Sequence, residues 1–211
     1  MARINQPSVT PPPPDSDYFA CLGVPRRLQF DPEDLTERFH EQSRRVHPDF
    51  FQMKSAREQA LSLEASALLN RAYRTLRDPI ERMAYLIRLE TGRQEIAAKA
   101  PDDLLAEIFE LQEALEAYRE GSAGSEKEAA GRQLTEEQAR LRERLARLEE
   151  ELQQLSAQWD DAAKNDSTAP ERGALLAAMQ ERLAARKYFM NTLDDITLTL
   201  EGRSDAKDRR H

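Results

Sequence analysis

Arg44-Arg45-Val46-His47-Pro48-Asp49 is the stretch on which the reading of this chain turns. Upstream of it, Asp31-Pro32-Glu33-Asp34 carries the signals of a helix start. Asp31 is a suitable N-cap, Pro32 falls at the first helical position where a missing amide costs nothing, and acidic residues fill the first turn. Leu35, Phe39 and Val46 then share one stripe, with Arg38, Arg44 and Arg45 mostly off it. Pro48 ends that helix at His47, because proline has no amide to donate and disfavours helical backbone at the residue before it. Downstream, Leu61, Ala65, Leu68, Ala72 and Leu76 recur at helical spacing, with Leu69 and Tyr73 beside them, predicting a longer helix from about Ser55 to Leu76. Two such helices pair into a hairpin that presents His47, Pro48 and Asp49 in a stiff surface loop with basic residues one turn before it.

Working outward, Asp15-Ser16-Asp17 caps a brief helix carrying Tyr18, Phe19 and Leu22; Gly23 stops it and Pro25 keeps the chain from re-entering. So short an element needs the hairpin to pack on. Residues 1–14 are polar and end in Pro11-Pro12-Pro13-Pro14, an extended tail expected to be disordered. After the hairpin, Asp78-Pro79 opens a further helix with Met83, Leu86, Ile87 and Leu89 on its apolar side, closed by Gly92. Residues 15–92 thus form a first domain near the lower size limit for an autonomous core, and 93–100 a linker.

The second half, residues 101–201, opens at Pro101-Asp102-Asp103 with a seam of Leu104, Ile108, Leu111, Leu115 and Tyr118. A polar loop is expected from Gly121 to about Gly131. Thr135-Glu136-Glu137-Gln138 resembles a capping box for the next helix. There Leu141, Leu145, Leu148, Leu152, Leu155 and Trp159 alternate spacings of four and three, the spacing of a bundle or coiled coil. Lys164 to Pro170 break the pattern. Leu175 or Leu176, Met179, Leu183, Met190, Leu193 and Leu200 then mark a last long helix. Three complementary seams in one chain read as an antiparallel three-helix bundle, followed by a charged tail at 202–211. The alternative, a structural coiled coil, predicts tight self-association through the Leu141–Trp159 seam.

Composition bounds the function. The chain has 211 residues, 39% hydrophobic and 33% charged, with a net charge of -8, which argues against broad nucleic-acid binding. No apolar run is long enough to span a membrane and no secretory leader is visible, so cytoplasmic residence is expected. A single cysteine, Cys21, permits no internal disulfide and no four-thiolate metal or cluster site; it reads as a small buried hydrophobe. The glycines form no phosphate loop, and His40, His47 and His211 lack zinc spacing. His47 with Asp49 could suggest acid–base chemistry. Pro48 is expected to hold those two side chains apart, and no Ser or Cys nucleophile is presented nearby. The chain is therefore expected to be no enzyme, with no metal or cofactor of its own.

Asp17-Tyr18-Phe19, the capped helix from Asp31, Arg44-Arg45, His47-Pro48-Asp49, and Asn70-Arg71-Ala72-Tyr73 followed by Leu76-Arg77-Asp78-Pro79 together resemble a J-domain. Continuation through Glu81-Arg82-Met83-Ala84-Tyr85-Leu86 into an acidic three-helix region makes the chain, over residues 17 to about 200, similar to the HscB (Hsc20) family of iron–sulfur co-chaperones. The fold implied is all-α: an N-terminal J-domain and a C-terminal antiparallel three-helix bundle. The resemblance implies docking on an HscA-like Hsp70 through His47, Pro48, Asp49, Arg44, Arg45 and Arg38, with stimulation of its ATPase. It implies delivery of an IscU-like scaffold held by Leu105, Ala106, Phe109, Glu110 and Glu113 of the first bundle helix with Phe189 of the last. Ala106 stands where relatives commonly have a larger methionine. With Leu104, Ile108, Leu111 and Leu115 inward, Leu105 and Phe109 are surplus apolar residues edged by carboxylates, as a docking face requires. Each of these aromatic or apolar residues, Phe189 included, could equally widen the core. The competing function is a J-domain protein for another client, with the bundle as a general binding or dimerisation module, and the Leu105/Phe109/Phe189 patch separates the two.

Overall fold

A computed structural model describes residues 17–92, 96–97, 99–101, 104–121, 124–165 and 168–202, without the side chains of Leu105 and Ala106. The expected tail at 1–14, the expected tail at 202–211 apart from Gly202, half of the linker at 93–100, and the pair Asp102-Asp103 lie outside the described residues. All regular structure among the described residues is helical: α1 (Tyr18–Leu22), α2 (Pro32–Val46), a 3-10 turn (Pro48–Phe51), α3 (Ala56–Arg77), α4 (Pro79–Thr91), α5 (Leu105–Glu120), α6 (Ser125–Lys164) and α7 (Ala169–Leu200). The chain divides into two compact units, Met1–Gly92 with Trp159–Lys164, and Arg93–Gln158 with Asn165–His211.

In the first unit, side-chain caps fix the helix starts. Asp17, Asp31 and Asp78 each accept a backbone N–H two residues on, and Asp78 a second from Glu81. Ser55 and Glu58 form a reciprocal capping box at the start of α3. Gly23 ends α1 at φ 65°, in the left-handed region that glycine enters without strain. α1 packs on both α2 and α3, burying Phe19 and Leu22 against a core that includes Leu35, Leu76, Met83, Leu86 and Ile87. Tyr18 stacks on Tyr85 with ring centroids 4.3 Å apart, and its N–H donates to the Tyr85 hydroxyl at 2.9 Å. Leu61, expected on the inward stripe of α3, is 36% exposed, and Ser62 takes the inward place at 3%.

The loop before α2 is held by a carboxylate from the last turn of α6. Asp160, 4% exposed, accepts the N–H of Leu28 at 2.7 Å and of Gln29 at 2.9 Å. Arg82 lies buried in the same unit, donating to the Leu76 carbonyl at 2.6 Å with its guanidinium 5.0 Å from the Phe30 ring centroid. Burial pulls its pKa down from the ordinary arginine range, and the charges of Asp160 and Asp78 oppose that.

In the second unit, α5 and α7 run parallel to each other and antiparallel to α6, as cross-helix pairs show. Glu107 receives a two-pronged ion pair from Arg144, and Arg119 of α5 reaches Asp195 and Thr199 near the end of α7. Gln138 and Glu149 of α6 meet Thr197 and Arg186 of α7. Leu111, Leu115, Leu134, Leu141, Phe189 and Ile196 lie at the centre of the shared core. Two expectations fail here. α6 begins at Ser125, not Thr135, so the expected loop to Gly131 is helical in its second half; Thr135 donates to the carbonyl of Gly131 within the helix and caps nothing. Ala130 and Leu134 are buried and anchor these extra turns. Gly131 permits them, because a Cβ there would stand 3.0 Å from Cε2 of Tyr118. On α7, Met190 is 37% exposed and Phe189 is inward at 4%.

Candidate functional sites

α2 cannot continue past Val46, and the chain turns at once into the 3-10 segment: Phe50 N–H donates to the His47 carbonyl at 3.0 Å. Asp49 N–H is directed at Nδ1 of His47 at 3.3 Å, which caps the turn with the imidazole as acceptor. The side chains of His47 and Asp49 are 52% and 71% exposed, with Nδ1 and Oδ2 3.5 Å apart. Pro48 therefore does not separate them as expected; the tight turn brings the first and third residues to one side. Phe50 is 68% exposed and its ring stands edge-on to His47 at 6.2 Å, while Met53 is exposed beyond it.

The basic residues are not equivalent. Arg44 makes no hydrogen bond or ion pair among the described residues, whereas Arg45 is paired with Glu41 one turn back. Arg38, two turns before the loop, is tied to Asp34 at 3.1 Å and donates to the Gly23 carbonyl at 3.1 Å, bracing the end of α1. The carbonyl of Val46, last residue of α2, accepts two hydroxyls from α3: Ser62 Oγ at 2.7 Å and Ser66 Oγ at 3.1 Å. Sequence reasoning missed both serines. Their signal is a polar pair spaced by four residues on the inward face of an otherwise apolar stripe.

In the bundle, Ile108 and Leu111 turn inward, which leaves Phe109 67% exposed with Glu110 and Glu113 exposed beside it. The side chains of Leu105 and Ala106 lie outside the described residues. Phe189 does not join Phe109 on the surface. It is 4% exposed, in the core with Ala185 and Ile196, so the expected patch is divided between an outer and an inner member. Its neighbour Tyr188 is half-buried, and burial raises that phenol above its usual range. Cys21 is buried as expected; desolvation first, then the charge of Asp17, raises its thiol pKa. No helix among the described residues is long and apolar enough to cross a membrane.

No family model matches the chain. Among curated proteins, it is 31% identical over 194 residues to the iron-sulfur cluster co-chaperone protein HscB of Mus musculus, covering 91% of this chain and 72% of that protein. It is 39% identical over 74 residues to the co-chaperone protein HscB of Proteus mirabilis, which covers 35% of this chain and 43% of that one. Among solved structures, the human co-chaperone protein HscB is matched with a TM-score of 0.57 at 28% identity, over 90% of this chain and 85% of that one. Chaperone HscB from Vibrio cholerae, at 24% identity, shares the fold with a TM-score of 0.55 over 89% and 99% of the two chains.

Proposed function

The chain belongs to the HscB family of iron–sulfur cluster co-chaperones, and from that premise we propose that it stimulates the ATPase of an HscA-like Hsp70 and delivers an IscU-like scaffold to it. On this reading it catalyses nothing itself and works in the cytoplasm. What carries the proposal is the exposed His47-Pro48-Asp49 turn at the end of α2, with the exposed cation of Arg44, unpaired among the described residues, beside it. A rigid turn that projects an imidazole and a carboxylate from a braced hairpin is suited to altering a partner by contact. Basic side chains next to it steer the encounter with an acidic surface. The cargo surface proposed is the α5 flank of Phe109, Glu110 and Glu113. An exposed aromatic ringed by carboxylates fits a protein partner with an apolar pocket and a basic rim.

The test is the steady-state ATPase rate of the cognate Hsp70 with and without this protein, and with and without scaffold. A synergistic rise is expected with both present. His47→Gln should abolish the rise and leave scaffold affinity within about twofold, since the turn and the α5 flank are separate surfaces. An unstimulated Hsp70 in every combination would sink the reading. The burial of Phe189 favours one second reading, a J-domain co-chaperone whose bundle holds a different client, and scaffold binding measured alone decides between them.

A further inference from the structure

Helical serine and threonine hydroxyls ordinarily bond back to the carbonyl four residues earlier. Thr36, Thr91, Thr135, Ser156, Thr192 and Thr197 all do so here. Ser62 and Ser66 do not. One turn apart on α3, both reach across to the single carbonyl of Val46. That carbonyl has lost its ordinary partner, because the Phe50 N–H, four residues on, donates to His47. It is attached to a residue only 5% exposed, beside Ser62 at 3%, so water is a poor substitute. A buried polar serine where the stripe called for a hydrophobe is otherwise unfavourable, and this acceptor is its compensation.

On the co-chaperone reading given above, we infer that Ser62 and Ser66 are positioning residues for the His47-Pro48-Asp49 turn: together they clamp the last carbonyl of α2 and so fix where the turn leaves the hairpin. The peptide they hold is the Val46–His47 peptide itself. Rotation of that peptide, once the carbonyl is released to seek another donor, swings the His47 side chain and the Asp49 amide that leans on it. Neither serine touches the partner in this account. Two donors on one acceptor also make the clamp redundant, so each hydroxyl covers for the loss of the other.

The experiment compares Ser62→Ala, Ser66→Ala and the double variant in the full chain. Three readings are taken: the maximal stimulated Hsp70 rate, the co-chaperone concentration giving half of it, and the amide NMR resonances of Asp49 and Phe50. Each single variant should lower the maximum less than about twofold and the double by about fivefold or more, a larger loss than the singles multiplied. The half-maximal concentration should hold within about twofold, because Arg44 and Arg45 are untouched. Ser62→Ala/Ser66→Thr keeps one hydroxyl and should recover the single-variant maximum. A merely structural role would instead lower the rate in proportion to the folded fraction seen by circular dichroism, and that result overturns the inference, as does a double variant with the full maximum. If the unaltered chain itself stimulates nothing, the co-chaperone reading fails and the NMR arm still decides the clamp. Shifted Asp49 and Phe50 amides in the double variant alone uphold it; unmoved amides overturn it.

Discussion

Truncating the two phenylalanines of the bundle to alanine should produce opposite defects. Phe189 is 4% exposed in a core shared by α5, α6 and α7. Removing its ring forfeits about 2 kcal/mol of transfer free energy. It also leaves a void on the order of 100 Å³, worth about another 2 kcal/mol if the helices do not close in. The expected loss for Phe189→Ala is therefore about 4 kcal/mol, a large share of what a domain of this size holds. Phe109 is 67% exposed, and its loss should change stability by less than about 0.5 kcal/mol. If the α5 flank holds the scaffold, however, Phe109→Ala should cost about 2 kcal/mol of binding, or about 30-fold in Kd. Urea unfolding followed by helical ellipticity gives the first quantity and titration calorimetry with purified scaffold the second. For Phe189→Ala, affinity per folded molecule should be retained wherever the variant is folded. A stable Phe189→Ala variant with lost affinity would refute the placement of Phe189 inside. Undiminished scaffold affinity in Phe109→Ala would refute the proposed cargo face.

Arg44→Ala should raise the half-maximal concentration for Hsp70 stimulation about fivefold at low salt and Arg45→Ala less than half as much, because Glu41 already neutralises Arg45; in about 0.5 M salt the two should converge, and equal effects at low salt would count against the steering role. Asp160→Ala removes a buried carboxylate that accepts two backbone N–H groups and is a countercharge of Arg82, so the first unit should lose about 3 kcal/mol, read as a roughly 100-fold faster reaction of the buried Cys21 thiol with a thiol reagent. Unchanged labelling would show that the loop before α2 does not depend on this carboxylate. Cys21 and Tyr85 both have folded pKa values raised by burial above their ordinary 9.0 and 10.0. Their contribution is complete below those values and is lost as pH rises through the folded ones, since the unfolded chain ionises first. The thermal midpoint of the first unit should thus fall from about pH 9 upward, less steeply in Cys21→Ala, and a flat profile would contradict the burial of both groups.

The elements whose signals are local were legible in the sequence. Asp31 with Pro32, Asp78 with Pro79, and Gly23 each act within one turn, so the first four helices end close to where the residues say they should. The start of α6 was not legible, because Gly121, Gly124 and Gly131 read as a loop until Tyr118 is seen packed where a side chain on Gly131 would be. Phe189 was lost to geometry of another kind. α7 buries Ala184 and Ala185 as well as Met179 and Leu183, and Phe189 and Ile196 further on, so its inward face is wider than one line of large apolar residues, and small alanines mark part of it. Asp160 lies 132 residues from the amide of Leu28, and no spacing rule reaches that far. Ser62 and Ser66 were hidden because apolar periodicity ignores polar residues on the inward face, where they act on a carbonyl that a proline has stranded.

The chain has one tryptophan, Trp159, and it is 4% exposed in the compact unit that contains the His47 turn. Excited at its red edge, where tyrosine does not absorb, the protein therefore emits only from that residue, near the end of α6. Emission that reddens on adding denaturant reports the loss of the packing around Trp159, while total ellipticity reports every helix. Where the two curves part, unfolding proceeds in two steps, and this is seen without any label being attached.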